Sequence, residues 1–135
     1  MLDFHTPTTI RAPFALYSHG VSVPAGHRLI FCSGQLGITA DDVIPDEAGA
    51  QTELCFSNIA AILGNAGAGL SNIVRINTFV TDRSYLAPYM AVRDRLFSDP
   101  APASTLMIVS GFARPEFKVE IEVVAAIAEG GEHHE

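Results

Sequence analysis

Between Ile73 and Val80 the side chains alternate, with Val74, Ile76, Thr78 and Val80 on one side and Arg75 and Asn77 on the other. That two-residue period predicts a half-buried strand. Phe117 to Ala126 repeats it, with Val119, Ile121 and Val123 facing one way and Glu120 and Glu122 the other, which predicts a long last strand. Thr105 to Val109 reads as a buried strand after the turn Ser98-Asp99-Pro100-Ala101-Pro102, and Gly111 to Pro115 as a connection. Nearer the start, Gly20 to Val23 and Leu29 to Ser33 flank the turn Pro24-Ala25-Gly26-His27 and predict a hairpin. The residues before them, punctuated by Pro7 and Pro13, read as irregular.

Helical spacing appears twice. Asp46 stands as an N-cap before Glu47, then Ala50, Leu54, Ile59, Ile62 and Ala66 mark one stripe, and Asn65-Ala66-Gly67 supplies the stop. A second helix starts at the Thr81-Asp82-Arg83-Ser84 cap region and carries Leu86, Tyr89, Met90, Arg93, Leu96 and Phe97 at steps of three and four. Two helices cannot cover both faces of such a sheet, so the other face meets water or another subunit. Apolar residues on both sides of the last strand favour the subunit. With 135 residues and no internal repeat or linker, the chain reads as one α+β domain over 1–135, with a loose polar tail at 129–135.

Composition narrows the function. Hydrophobic residues at 48% against 17% charged exclude a disordered chain. Seven arginines and a single lysine, Lys118, against fifteen acidic residues give a net charge of −7, with no basic cluster beyond Arg93 and Arg95, so no nucleic-acid partner is expected. The N-terminus lacks the basic and apolar regions of a secretory signal, which predicts a cytoplasmic protein. The longest apolar run, Val123 to Ala128, is far below the ~20 residues of a membrane span, so no membrane partner is expected. Cys32 and Cys55 lie inside apolar stretches without C-x-x-C spacing and read as buried, reduced thiols.

Candidate chemistry concentrates on the last strand. Glu120 and Glu122 share one side of an otherwise apolar strand, either as a solvent-facing surface or as a cleft carboxylate of raised pKa that holds and deprotonates water. Ser33-Gly34-Gln35, at a strand end, could grip a small polar ligand or simply terminate the strand. Weaker patterns are Ser18-His19 with Asp3 or Asp41, which lacks a nucleophile elbow, and His133-His134 in the tail. Gly64 to Gly69 follows a helix instead of preceding one and reads as a turn.

The landmarks in order are Pro13-Phe14-Ala15-Leu16-Tyr17-Ser18-His19-Gly20, Phe31-Cys32-Ser33-Gly34-Gln35, Gln51, Asn58-Ile59 and Ala66-Gly67. Val80-Thr81-Asp82, Pro102-Ala103-Ser104-Thr105-Leu106 and Arg114-Pro115-Glu116-Phe117-Lys118-Val119-Glu120-Ile121-Glu122 follow. Together, over about 13–128, they resemble the Rid family of reactive-intermediate deaminases, also called the YjgF family. The resemblance implies a chorismate-mutase-like α+β fold whose mixed sheet bears two helices on one face. It also implies a homotrimer with a central barrel, inter-subunit clefts and no metal or organic cofactor. The implied activity is hydrolysis of small-molecule enamines and imines to carbonyl compounds and ammonia. Tyr17 then corresponds to the cleft tyrosine, Ser33 to the serine after the second strand, and Glu120 to the carboxylate that positions the attacking water.

The sequence departs from the pattern in the Pro-Ala-Arg-Ser segment, whose arginine grips a substrate carboxylate. That position is Ser104, followed by Thr105, and a hydroxyl does not replace a bidentate cation. The family's asparagine early in the second helix falls at Met90, and Arg114 is the nearest cationic substitute in sequence. The resulting expectation is a deaminase of an arginine-lacking branch, whose substrate is not a small imino acid. A trimer that binds a metabolite without turning it over is the alternative, and a ribonuclease is the least favoured reading.

Overall fold

The computed structural model describes residues 1–129. Its main sheet has four strands in the order β3 (His27–Leu36), β6 (Val119–Ala128), β4 (Ile73–Val80) and β5 (Ala103–Ile108). β6 runs antiparallel to both neighbours, whereas β4 and β5 are parallel. The parallel pair needs a crossover, and α2 (Leu86–Leu96) supplies it. α1 (Ala48–Asn65) packs against β3, β6 and α2.

The core lies between the helices and one sheet face. Val119, Ile121, Val123 and Ala125 of β6 meet Phe56, Ile59 and Leu63 of α1, together with Ile76 and Val80 of β4 and Tyr89 and Val92 of α2. The two-residue period therefore sends Glu120 and Glu122 to the opposite face, as their spacing predicted. Asp82 starts the second helical stretch by accepting hydrogen bonds from Ser84 N at 2.9 Å and Ser84 Oγ at 2.6 Å.

Several expectations are corrected. The predicted hairpin does not form: β2 (Gly20–Ser22) pairs with β1 (Asp3–His5) in a separate sheet, and β3 pairs with β6. The buried side of α1 is Ala48, Gln51, Thr52, Cys55, Phe56, Ile59 and Leu63, while Ala50 and Ile62 are exposed. The helix buries polar Gln51 because every polar group of its amide is used. Nε2 donates to Pro45 O and Glu116 O at 2.9 Å each, and Oε1 accepts from Lys118 N at 2.8 Å. Glu47, not Asp46, occupies the N-cap position and makes no side-chain cap. At the other end Glu129 is held, its N–H donating to Gly26 O at 2.9 Å and its carboxylate 3.3 Å from Arg28 Nε. The rest of the expected loose tail, with His133 and His134, lies outside the described residues.

Candidate active site

Glu120 leaves β6 on the open face, opposite Leu36 of β3 and Phe79 of β4. Beside it β3 bulges, so that Ser33 and Gly34 together oppose Glu122 between the pairs Cys32–Val123 and Gln35–Ile121. The bulge makes room for the carboxylate: a methyl group at Gly34 would stand 2.3 Å from Glu120 Oε2. Burial, and then the Glu122 charge, raise the Glu120 pKa above its ordinary 4.5. Glu122 instead accepts a hydrogen bond from Asn77 Nδ2 at 2.9 Å, while Asn77 Oδ1 is buried without a partner among the described residues. Ser33 is therefore not at a strand end as expected but inside β3, and it lines a concavity of about 230 Å³ with Phe31, Asn77 and Glu122.

Tyr17 sits at the far edge of the sheet. Ser18 anchors it there, donating from N to Pro102 O at 3.1 Å and from Oγ to Ala101 O at 2.6 Å, and bridging to Ala103. The Tyr17 hydroxyl accepts from Phe14 N at 3.2 Å. Around the ring Phe14, Met90, Arg93, Ser104 and Leu106 line a concavity of about 220 Å³. Tyr17, Met90 and Ser104, singled out in three separate stretches of sequence, thus share one wall.

The other candidates are dispersed. Ser104 pairs with core residue Ile76 and Thr105 with Asn77, so strand alternation turns Thr105 to the open face, where its hydroxyl accepts from Arg75 Nη2 at 2.6 Å. Arg114 lines a third concavity with Thr81, Phe112 and Phe117 and lies 3.5 Å from Glu116 Oε2. Within one chain, then, Tyr17 and Ser104 stand on the helix side of the sheet edge and Glu120 on the open side. The roles of three contributors do not follow from the sequence: Gly34 stands there only within the ligand-gripping segment Ser33-Gly34-Gln35, and Arg93 and Asn77 only as members of their elements. Gly34 had a signal, since a glycine inside a strand marks a bulge or a close approach. Arg93 was visible one helical turn from Met90 but read as part of a core stripe, and Asn77 carried no signal beyond its face.

Neither cysteine fits a nucleophile. Both are free and buried, burial raising the Cys32 pKa and pushing Cys55 up to about 12. Among the described residues no three His, Cys, Asp or Glu side chains gather as metal ligands, and no helix is long and apolar enough to cross a membrane.

Residues 9–127 match the family described as Endoribonuclease L-PSP. The chain belongs to that family, which is the Rid/YjgF family. A conserved Rid-family protein from Yersinia pestis superposes with a TM-score of 0.79 at 26% identity, over 93% of this chain and 98% of that one. RidA from the Antarctic bacterium Psychrobacter superposes with a TM-score of 0.70 at 32% identity, over 86% and 92%. Among curated relatives, the RutC family protein YjgH of Escherichia coli is 31% identical over 86% of this chain and 88% of its own length. A 2-iminobutanoate/2-iminopropanoate deaminase of Dermatophagoides farinae is 25% identical over 85% and 88%. Rid/YjgF membership supports an enzyme-like role at family level, and it accounts for the two helices laid on one face of a mixed sheet.

Proposed function

We propose that this protein hydrolyses the C=N bond of a reactive imine, or of an enamine through its imine tautomer, in a homotrimer whose clefts form between subunits. Glu120 is its acid and base. The observation that carries this reading is the Glu120 carboxylate held over Gly34 with its pKa raised. A base poised toward neutral pH and free of an ion pair among the described residues suits proton transfer better than structure.

An iminium carbon is already electrophilic, so the protein need only orient water and move protons. Water oxygen bonds to the iminium carbon while Glu120 takes one water proton, giving a carbinolamine. The protonated Glu120 returns that proton to nitrogen, and the C–N bond breaks as the hydroxyl oxygen gives its own proton to the Glu120 carboxylate and forms the carbonyl. The departing ammonia carries that proton away as ammonium. Tyr17 borders the reacting carbon, while Ser33, Met90, Ser104, Thr105 and Arg114 contact substrate from the two sides of a cleft. The subunit boundary is supported by the sheet itself, which in one chain stands between Glu120 and Tyr17. With Ser104 in place of the arginine expected from the family pattern, β5 itself offers no cation to a substrate carboxylate, which disfavours a small imino acid held there. A net charge of −7 disfavours RNA, despite the endoribonuclease in the family's description.

The test is to generate imines with an amino-acid oxidase from acidic, neutral, aromatic and basic amino acids. Their interception by semicarbazide is then followed with wild type and Glu120→Gln. Removing an acid-base group of this kind costs ~10²–10⁴-fold, so the variant should leave interception almost untouched while wild type diverts at least one imine. Activity should also fall in acid through an apparent pKa above that of an ordinary glutamate, as Glu120 becomes protonated. Equal activity of the two proteins would remove Glu120 from the mechanism. No activity from either would favour the non-catalytic, metabolite-binding reading, for which Ser104 is the supporting observation.

A further inference from the structure

We propose that Arg93 is the anion-binding residue of the Tyr17 cleft, and that the ligand there carries a carboxylate on an apolar body. That the ligand is an imine or its carbonyl product rests on the deaminase reading; the anion site does not.

Arg93 lies in the last turns of α2, one turn beyond Met90, and lines the same concavity as Tyr17, Ser104 and Leu106. Its side chain is only 3% exposed, which is rare for an arginine and costly unless its charge and donors are met. Its ion-pair partner among the described residues is Asp94, 3.1 Å from Nη2 and itself 54% exposed, so that countercharge is well hydrated. Nε and Nη2 both donate to the same Asp94 oxygen, at 3.4 and 3.1 Å, while the guanidinium carbon lies 5.8 Å from the Tyr89 ring centroid. Tyr89 is fixed in turn by Thr78 Oγ1, which donates to its hydroxyl at 2.7 Å. These contacts hold the guanidinium in place, and the hydrogen bonds to Asp94 use two of its five N–H donors.

A planar five-donor cation so held is suited to a planar oxyanion. The remaining lining is apolar, from Phe14, Met90 and Leu106, and the short Ser104 side chain leaves the approach open. The cation that the family pattern puts on β5 is thus supplied here by the helix layer.

Benzoate and benzamide test this directly, because they share a shape and differ in charge. Titrated into wild type by calorimetry or protein-observed NMR, benzoate should bind at least about tenfold tighter, one charge-assisted bond being worth roughly that factor. Arg93→Gln should bring benzoate down to the affinity of benzamide. Because Arg93 is buried, Asp94→Asn provides a second measurement at an exposed position: freeing the guanidinium from its neighbour should tighten benzoate severalfold and leave benzamide unchanged. The proposal is overturned by a wild type without preference for benzoate, by a preference that survives Arg93→Gln, or by an Asp94→Asn protein that binds benzoate no better. None of these measurements reads turnover, so a protein that prefers benzoate yet diverts no imine would sink the deaminase reading and leave the anion site standing.

Discussion

The same strands build two faces that differ in how complete they are. On the helix side, Phe56, Ile59, Leu63, Val119 and Ile121 are at most 1% exposed, and the buried polar groups of Gln51, Thr52 and Thr78 all have partners. On the open side Phe31 is 74% and Met107 52% exposed beside a partly desolvated Glu120 and an Asn77 oxygen without a partner among the described residues. Large exposed apolar side chains among underused polar groups mark a surface meant to be covered. The first face holds the chain together, and the second is where the proposal puts Glu120 chemistry and the contact between subunits.

Two phenylalanines break this comparison most forcefully. Phe56→Ala removes a fully buried ring stacked against Tyr89 and should cost about 3–5 kcal/mol, read as a large fall in denaturation midpoint. Phe31→Glu should barely change the fold of the chain. It should instead convert a species of about three chain masses in light scattering into one of a single mass, with loss of imine hydrolysis. If Phe31→Glu unfolded the chain while Phe56→Ala did not, the two faces would have been assigned the wrong way round.

The legible parts were those where periodicity and burial agree. The bounds of β4 match its alternation, which holds from Arg75 to Val80. Val74 does not share the side of Ile76 as expected, because a bulge between Ile73 and Arg75 puts Ile73 and Ile76 in the core. The side of β6 that carries Glu120 follows from the two-residue period. The buried stripe on α1 departs from the apolar spacing because it includes Gln51, whose burial depends on Glu116 and Lys118 far away in sequence, and Thr52, whose hydroxyl donates back to Ala48 O one turn earlier. The hairpin failed because β2 finds its partner in Asp3–His5, three residues with no pattern of their own. At the site, family landmarks brought Tyr17, Met90 and Ser104 to one wall. Strand alternation separates Ser104 from Thr105, and the boundary between Tyr17 and Glu120 is a matter of sheet order, which no local pattern encodes.

Two glycines sharpen the contrast at smaller cost. A methyl group at Gly37 would stand 2.6 Å from Gln51 Cα, a backbone atom of α1 that cannot step aside. Gly37→Ala should therefore destabilise the fold by about 1–3 kcal/mol, as overpacked interiors do. At Gly34 the obstacle is the end of a side chain, so Gly34→Ala should leave the denaturation midpoint nearly intact and displace the Glu120 carboxylate. Misplacing a reacting group by an ångström can cost about 10²-fold in rate. A fully active Gly34→Ala protein would mean that the carboxylate works from some other position than the one over the bulge.

The smallest effect concerns what the open face gives up in stability. In the folded chain Glu120 binds its proton more tightly than an ordinary glutamate, because burial and Glu122 disfavour the charged form. Above the raised pKa the ionised carboxylate therefore costs stability. Below the ordinary value of 4.5, folded and unfolded chains are both protonated and the cost disappears. Glu120→Gln never ionises, so it should melt slightly higher than wild type at neutral pH, with the gap closing as the pH falls toward 4. Both proteins must be compared at one chain concentration, since association also raises the midpoint. A variant that is inactive yet more stable at neutral pH would show Glu120 retained for chemistry at the expense of the fold. A variant that melts lower at every pH would make Glu120 a structural residue.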